Sequence, residues 1–521
     1  MREHFRRAGW PLAAILTLQA LLSLRLRNTA FQDEALYLYA GHMQLRDLFG
    51  GPPANLGFEN YFSGSPWLYP VLAGAVDTVF GLAGARALSL AFLLGTTTLL
   101  YATTARLFGA GAGIGAAALF AATGPAIFLG DLATHDAAAL FLLALAALTV
   151  VRAAATRTVA TLAAAPILAL ASAVKYAAAL YIPTICVLSA LAAAPYVLWR
   201  RAVGRALLQA VATAPILLGL LYAGGLFQAL GRTTTARPRG GADQLALLWK
   251  ATQWGGALFL LACAGAVLLA VRAGNFPGAT KTPGAFEPPG AALWIDRAPR
   301  AALVLMGVTL CCTALLAPAY HMYLRTGVSL HKHVGYGLLF AAPLAGLAVA
   351  GAVRSLRRGW VVAVAAWACV LALGVAHSAR FFLTWQNSSA LIAALDHRVR
   401  PDGRYLVEVS EVPIYYFLDR AEPRQWTSTY YVRYQDRRGN VLSGDEGYRA
   451  AIRDGRYDVI VLSWTATPGT ADVIRAAVEA SPRYRSLGVI PFRPVHGPGG
   501  FHVWVRDRTT GGESKPGGTA G

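Results

Sequence analysis

Charge is scarce in this chain. Of its 521 residues only 14% are Asp, Glu, Lys or Arg, while 56% are hydrophobic, and the mean hydropathy is +0.47. Soluble domains carry about 25% charged residues, so the composition excludes a soluble protein of this size. Polar–apolar alternation is also missing from the apolar runs, which excludes a membrane β-barrel. Cysteine is rare: Cys186, Cys263, Cys311, Cys312 and Cys369 all fall inside apolar runs and form no C-x-x-C pair. That argues against a disulfide-stapled secreted domain, and they read as small packing residues. The apolar run in "MREHFRRAGWPLAAILTLQALLSL" ends without a small-residue cleavage site, so it reads as a retained first span with a cytoplasmic start rather than a signal peptide.

Acidic residues are few, 26 against 46 basic ones, for a net charge of +20. Nucleic acid is not the expected partner. The arginines gather in short loops at the ends of apolar runs, as the positive-inside rule requires, and in the C-terminal region. Some of that charge suits anionic lipid head groups or phosphate-bearing substrates. The abundance of Arg, Ala and Gly fits a bacterial source.

About 20 apolar residues cross a bilayer. Besides the first, spans are predicted at Ala87–Leu107, Gly113–Leu129, Thr134–Val151, Val159–Ala173, Ala177–Leu198, Arg205–Phe227, Trp254–Val271, Ala301–Ala319, Val334–Val353 and Trp360–His377. The expectation is therefore a polytopic α-helical membrane protein of about eleven spans. Pro66–Gly84 is read as a juxtamembrane helix on the outer face. Were it a span, Arg106, Arg152, Arg200, Arg201, Arg205, Arg272, Arg354, Arg357 and Arg358 would all move outside. This layout gives a membrane domain over 1–380, with residues 28–85 as a first extracytoplasmic loop. The loop Arg272–Arg300, rich in Pro and Gly, is expected to be irregular.

Residues 381–508 are more polar and alternate in pattern. "RYLVEVS", "YDVIVLSW" and "FHVWVR" read as buried strands, and "SSALIAALDHRV" and "TADVIRAAVEA" as helices. A small extracytoplasmic α/β domain is predicted, followed by a disordered tail over 509–521.

Candidate chemistry gathers on the outer face. In "RNTAFQDEALYLYAGHMQL", Asp33 and Glu34 are adjacent, about 100° apart on a helix, so they cannot serve one target equally. Asp33 also fits a helix N-cap. In "GDLATHDAAALFLLALA", Asp136 opens an apolar helix with Thr134 as a cap, and acids there also suit the helix dipole. Two acidic sites on one membrane face are nonetheless functional candidates. Lys175, in "ASAVKYAAALYIP", is either a snorkelling lysine or a cation for a lipid-borne phosphate. "SLHKHVGYGLLFAAP" offers His331, Lys332 and His333 as a phosphate-facing basic cluster, a solvated loop or half of a metal site. "GAGAGIG" (Gly109–Gly115) follows no strand, so it reads as a tight turn rather than a phosphate loop. "NSS" at Asn387 is an acceptor pattern of little weight in a bacterial chain.

In order and spacing these pieces resemble one family. "QDEALYLYAG", "YFSGSPWLYPVLAGAVDTVFGLAGARALSLAFLLGTTTLLYATTARLFG", "ATGPAIFLGDLATHDAAALFLLALA" and "AVKYAAAL" together look like the membrane glycosyltransferases typified by the dolichyl-phosphate-mannose protein mannosyltransferases. Bacterial relatives include the aminoarabinose transferase that modifies lipid A. The resemblance covers Arg27–Pro183, and more loosely reaches Gly351 through "HKHVGYGLLFAAPLAG". It implies a C-type glycosyltransferase fold and an inverting transfer from a polyprenyl-phosphate sugar to a glycan, lipid or protein acceptor, with the active site open to the outer face. It implies Asp33 as catalytic acid–base residue beside Glu34, Asp136 as the second acidic position, and Lys175 as a basic one. The chain departs from the family at Gly64-Ser65-Pro66, where relatives carry Glu-Lys-Pro or His-Pro-Pro. The missing charge must then come from Lys175 or from His331–His333, or the donor is held differently; nearby cations, or a divalent metal held by carboxylates, would stabilise the leaving phosphate. A transporter with repeated halves is disfavoured, since the polar groups sit at one face and no repeat is apparent. A non-catalytic cell-envelope scaffold is the remaining alternative.

Overall fold

The computed structural model describes residues 2–53, 56–60, 62–156, 158–234, 236–275, 293–492 and 499–507. Most of the 272–300 loop and the 509–521 tail lie outside the described residues. Two compact units are present: Met1–Leu26 with Ala40–Phe381, and Arg27–Tyr39 with Phe382–Gly521. The sequence assigns residues 28–85 to the membrane domain as one loop. In the structure 27–39 belong to the second unit, held there by local bonds. The Trp385 indole N–H donates to the Thr29 carbonyl (3.0 Å), the Asn28 amide donates to the Trp385 carbonyl (3.1 Å), and the Ala30 N–H donates to the Tyr416 hydroxyl (3.1 Å).

The first unit is helical. Among the described residues eight helices are long and apolar enough to cross a membrane: Tyr69–Phe108, His135–Ala153, Tyr176–Ala193, Trp199–Ala223, Gln244–Gly274, Arg300–Leu324, Leu330–Ser355 and Gly359–Phe382. Three shorter apolar helices, Gly9–Ser23, Ala110–Ala121 and Thr158–Val174, fill the other predicted positions. The chain is a multi-pass membrane protein. Large apolar side chains such as Trp360 (64% exposed) and Leu260 (71%) point away from the helical core. Leaving such surfaces in water forfeits about 1.5–3 kcal/mol each, whereas hydrocarbon solvates them.

Two predicted elements differ. The span expected over Gly113–Leu129 breaks after Ala121, and a short helix Gly124–Leu129 follows. Pro125 lacks the N–H that would donate to the Ala121 carbonyl, so the first helix cannot run on through it, whereas the first turn of a new helix tolerates a proline. Thr123 instead takes an extended conformation and caps the new helix. The juxtamembrane helix expected over Pro66–Gly84 runs on into the next span as Tyr69–Phe108, interrupted at Gly81 (φ 63°, ψ −170°). Only glycine reaches that conformation without strain. Of the glycine run after Phe108 only Gly109 (φ 97°) forms the turn between two helices; the rest of the run, expected as a tight turn, lies in the helix Ala110–Ala121.

The second unit holds a five-stranded sheet. Its strands are β1 (Tyr405–Val407), β2 (Trp426–Thr427), β3 (Val459–Leu462), β4 (Tyr484–Phe492) and β5 (Gly499–Arg506). Their order is β2-β1-β3-β5-β4. β1 runs parallel to β2 and β3, while β5 is antiparallel to β3 and β4. Leu406, Ile460 and Trp504 share one register across the sheet and pack with Tyr448, Ile474 and Val478 from the helices Gly444–Arg453 and Pro468–Glu479. This is the α/β domain the sequence predicts.

Candidate active site

Asp136 sits in the first turn of the His135–Ala153 helix and is fully buried. A carboxylate cannot stay ionised in such a place without partners, and several are present. The Lys175 ammonium lies 3.7 Å from Oδ1. The Tyr336 hydroxyl, from the Leu330–Ser355 helix, donates to the same oxygen at 3.2 Å. Thr134 occupies the N-cap position, yet its hydroxyl donates to Asp136 Oδ2 (3.2 Å) rather than accepting a backbone N–H. The expected capping role of Thr134 is therefore replaced by a bond to the carboxylate. Lys332 and His333 also act electrostatically on Asp136. Lys332 is itself 1% exposed.

Lys175 is fixed by a break in its own helix. The Ala164–Val174 helix ends at Lys175 in an extended conformation (φ −145°, ψ 116°), and a 3₁₀ segment, Tyr176–Tyr181, follows. The exposed backbone groups pair with the first loop: Tyr176 N–H donates to the Ser63 carbonyl (2.9 Å), and Ser65 N–H to the Ala173 carbonyl (2.8 Å). Lys175 Nζ donates to Ser63 Oγ at 2.7 Å. Gly64 lies so close that a Cβ there would fall 2.0 Å from the Val174 carbonyl oxygen. The Gly-Ser-Pro departure thus has a steric function, since it lets the loop grip the Lys175 backbone. Lys175 is buried and paired, not snorkelling.

The proposed histidine–lysine cluster does not act as one group. His331 packs among Phe128, Trp254 and Phe381, with its ring 4.4 Å from that of Phe381. His333 turns the other way and meets His321 (Nδ1 to Nε2, 2.8 Å). Residues two apart on a helix face different sides. His321 Nδ1–H donates to the Thr326 carbonyl (2.8 Å). Neutral His321 then presents an Nε2 lone pair to His333 Nδ1–H, leaving His333 Nε2 as an acceptor. Among the described residues, no three His, Cys, Asp or Glu side chains come together as metal ligands. His321, Tyr336 and Ser63 were not signalled by sequence, because they reach the site only through packing between distant helices and loops.

Asp33 and Glu34 lie in the first turn of the Gln32–Leu48 helix. Helix formation begins one residue before Asp33, so Phe31, not Asp33, takes the N-cap position. Glu34 is fully buried and accepts the Phe31 N–H at 2.8 Å, which is half of a capping box. Asp33 is partly exposed. Gln32 Nε2 donates to Glu411 Oε1 at 3.1 Å. Burial pushes the Glu411 carboxyl above the ordinary range; the Gln32 bond opposes that shift and the nearby Asp33 charge adds to it.

No protein-family model and no curated protein matches the chain. Solved structures do. The oligosaccharyltransferase of Archaeoglobus fulgidus in its apo form aligns with a TM-score of 0.53 at 13% identity, over 93% of this chain and 74% of that one. The archaeal oligosaccharyltransferase AglB from the same organism, in complex with an inhibitory peptide and a dolichol-phosphate, gives 0.50 at 13% identity over 97% and 75%. ArnT from Cupriavidus metallidurans bound to undecaprenyl phosphate gives 0.45 at 14% identity over 96% and 98%. At such identities the likeness is one of fold: this chain has the C-type glycosyltransferase fold.

Proposed function

We propose that the protein is an inverting glycosyltransferase that moves a sugar from a polyprenyl-phosphate donor to an acceptor hydroxyl at the outer face of a bacterial cell membrane. The N-terminus is cytoplasmic and the C-terminal domain extracytoplasmic. The observation that carries this reading is the buried Asp136–Lys175 pair (3.7 Å) with Lys332 beside it. A structural role alone does not call for two buried ammonium groups around one carboxylate. A phosphate oxygen does, because charge builds there as the donor bond breaks. The shared fold with a protein solved in complex with a dolichol-phosphate supports the same donor class.

In the reaction the acceptor oxygen forms a bond to the anomeric carbon on the face opposite the phosphate. The bond from that carbon to the phosphate oxygen breaks, and its electron pair leaves with the polyprenyl phosphate. The acceptor proton passes to Asp33, a base worth about 10²–10⁴-fold. Lys175 and Lys332 stabilise the leaving phosphate, Asp136, itself fixed by the Tyr336 hydroxyl, holds Lys175 in place, and Glu34 anchors the Asp33 helix.

The test is transfer by the purified protein in proteoliposomes from a panel of polyprenyl-phosphate sugars, with and without chelator, with the product anomer assigned by NMR. Inverted product is expected. Transfer from nucleotide sugars alone, or from no donor at all, overturns the proposal.

A further inference from the structure

The second unit holds an open cavity of about 340 Å³ that the transfer chemistry above leaves unused. That volume lies in the range of small-molecule sites, about 300–1,000 Å³. Its wall is formed by Ala30–Gln32, by Thr384–Gln386 and by the loops leaving β1 and β3.

The polar side of the cavity is rigidly built. The Glu408 carboxylate accepts the backbone N–H groups of Ser463 (2.6 Å), Trp464 (2.6 Å), Ala466 (2.8 Å) and Thr467 (3.0 Å), and also the Ser463 hydroxyl (3.0 Å). To wrap the carboxylate so closely, Trp464 takes φ 56°, an uncommon conformation for a bulky residue. Such strain persists only where surrounding contacts over-determine it. The result is a fixed row of polar groups, since Gln386 Nε2 donates to both Ser463 Oγ (3.1 Å) and Thr465 Oγ1 (2.6 Å).

Part of the lining is aromatic. The Phe31 and Trp385 rings pack 5.1 Å apart, and Phe501 completes that wall. Tyr430, 52% exposed, lines the cavity with Gln32. No basic side chain lines the cavity among the described residues. The charges bearing on the Tyr430 hydroxyl are all negative: Glu411, Glu408 and Asp33. An anionic ligand meets repulsion here. A neutral, hydroxyl-rich ring with one apolar face does not: its hydroxyls find the Ser463–Thr465–Gln386 row and the Gln32 amide, and its C–H face finds the aromatic wall.

We propose that this cavity binds a neutral saccharide, the acceptor of the transfer reaction. Its identity as acceptor rests on the glycosyltransferase reading; the binding itself does not. Gln32, which lines the cavity, immediately precedes the proposed base Asp33, so an acceptor held here is held beside the residue that takes its proton.

The test uses the full-length protein in nanodiscs and saturation-transfer NMR with four neutral disaccharides (mannobiose, maltose, lactose and trehalose), mannose 6-phosphate and a Ser/Thr-containing hexapeptide. At least one neutral disaccharide is expected to bind, and the sugar phosphate and peptide are not. Thr465→Trp, at the exposed rim, fills the mouth, and Tyr430→Ala removes the mouth aromatic. Each is expected to weaken disaccharide binding about tenfold or more. A methyl-TROSY fingerprint of the α/β domain controls for folding. Absence of binding by all four disaccharides, preference for the sugar phosphate or peptide, or unchanged binding in folded Thr465→Trp overturns the proposal. Disaccharide binding without any transfer from polyprenyl donors leaves the cavity standing and removes the transferase reading. Transfer without disaccharide binding does the reverse.

Discussion

Lys175 Nζ lies 3.7 Å from the Asp136 carboxylate, and neither side chain reaches solvent. In that setting the two charges depend on each other. Lys175→Met strands a buried carboxylate, a loss of about 3–5 kcal/mol. Removing both charges (Lys175→Met with Asp136→Asn) restores part of that loss, because the stranded carboxylate is then neutral while Lys332 loses its acidic neighbour. Thermal melts in detergent are expected to rank the double variant between wild type and Lys175→Met. Sugar transfer falls sharply in both variants, since of the two proposed phosphate cations only Lys332 remains. A double variant that melts as low as the single one removes the pairing argument.

Asp33 and Glu34 separate on the same logic. Asp33→Asn keeps the shape of the first turn and removes the proposed base, so transfer falls by about 10²–10⁴-fold with the melting point unchanged. Glu34→Gln retains an oxygen for the Phe31 N–H and most of the activity. Glu34→Ala loses the cap, about 1 kcal/mol, and shows mainly as lowered stability. The reverse pattern, with Glu34→Gln inactive and Asp33→Asn active, exchanges the two roles.

The apolar segments were legible because membrane spans are long and locally encoded. Among the described residues eight of the predicted segments appear as helices long and apolar enough to cross a membrane and the other three as shorter apolar helices, with Gly113–Leu129 broken in two, and the strands around Leu406, Ile460 and Trp504 appear where buried runs of branched and aromatic residues predict them. Asp136 and Lys175 were legible as charges in apolar surroundings. Their partners were not. Ser63 and Tyr336 lie 112 and 200 residues away along the chain from the groups they bond, and no local pattern marks them. β4 was missed because it bulges near Gly488, contains Pro491 and is largely exposed, which dilutes the strand signal. His331 and His333 looked like a pair because they are close in sequence, whereas helix geometry sends them to different neighbours.

Gly64 is the residue whose importance only the packing reveals. A Cβ there meets the Val174 carbonyl oxygen at 2.0 Å and the Lys175 Cα at 3.3 Å, both backbone atoms. Gly64→Ala must therefore separate the first loop from the helix break. The expected cost is about 1–3 kcal/mol, and the Ser63–Lys175 bond is lost with it. Transfer activity is expected to fall far more than in Ser63→Ala, which removes one hydroxyl and keeps the close approach. Equal activity of Gly64→Ala and wild type in proteoliposomes rules out the loop as the element that positions Lys175.

Glu411 makes the stability of the second unit depend on pH. Burial raises its carboxyl above the ordinary value of 4.5, and the neighbouring Asp33 charge raises it further against the Gln32 bond. The folded state therefore holds this proton more tightly than the unfolded chain does. Its contribution to stability is fully present below pH 4.5 and is lost as pH rises through the folded-state value. Above that point the folded domain holds a buried carboxylate that the unfolded chain would hydrate. Glu411→Gln removes the titration and preserves an oxygen for the Gln32 amide, so the variant is expected to be more stable than wild type at neutral pH and to lack this descending limb. Urea titrations of the full-length protein from pH 4 to 8, read by tryptophan fluorescence and by methyl signals of the α/β domain, measure both slopes. A wild type whose second unit gains stability over that range, or a Glu411→Gln variant with the same slope, contradicts the assignment of the raised carboxyl to Glu411.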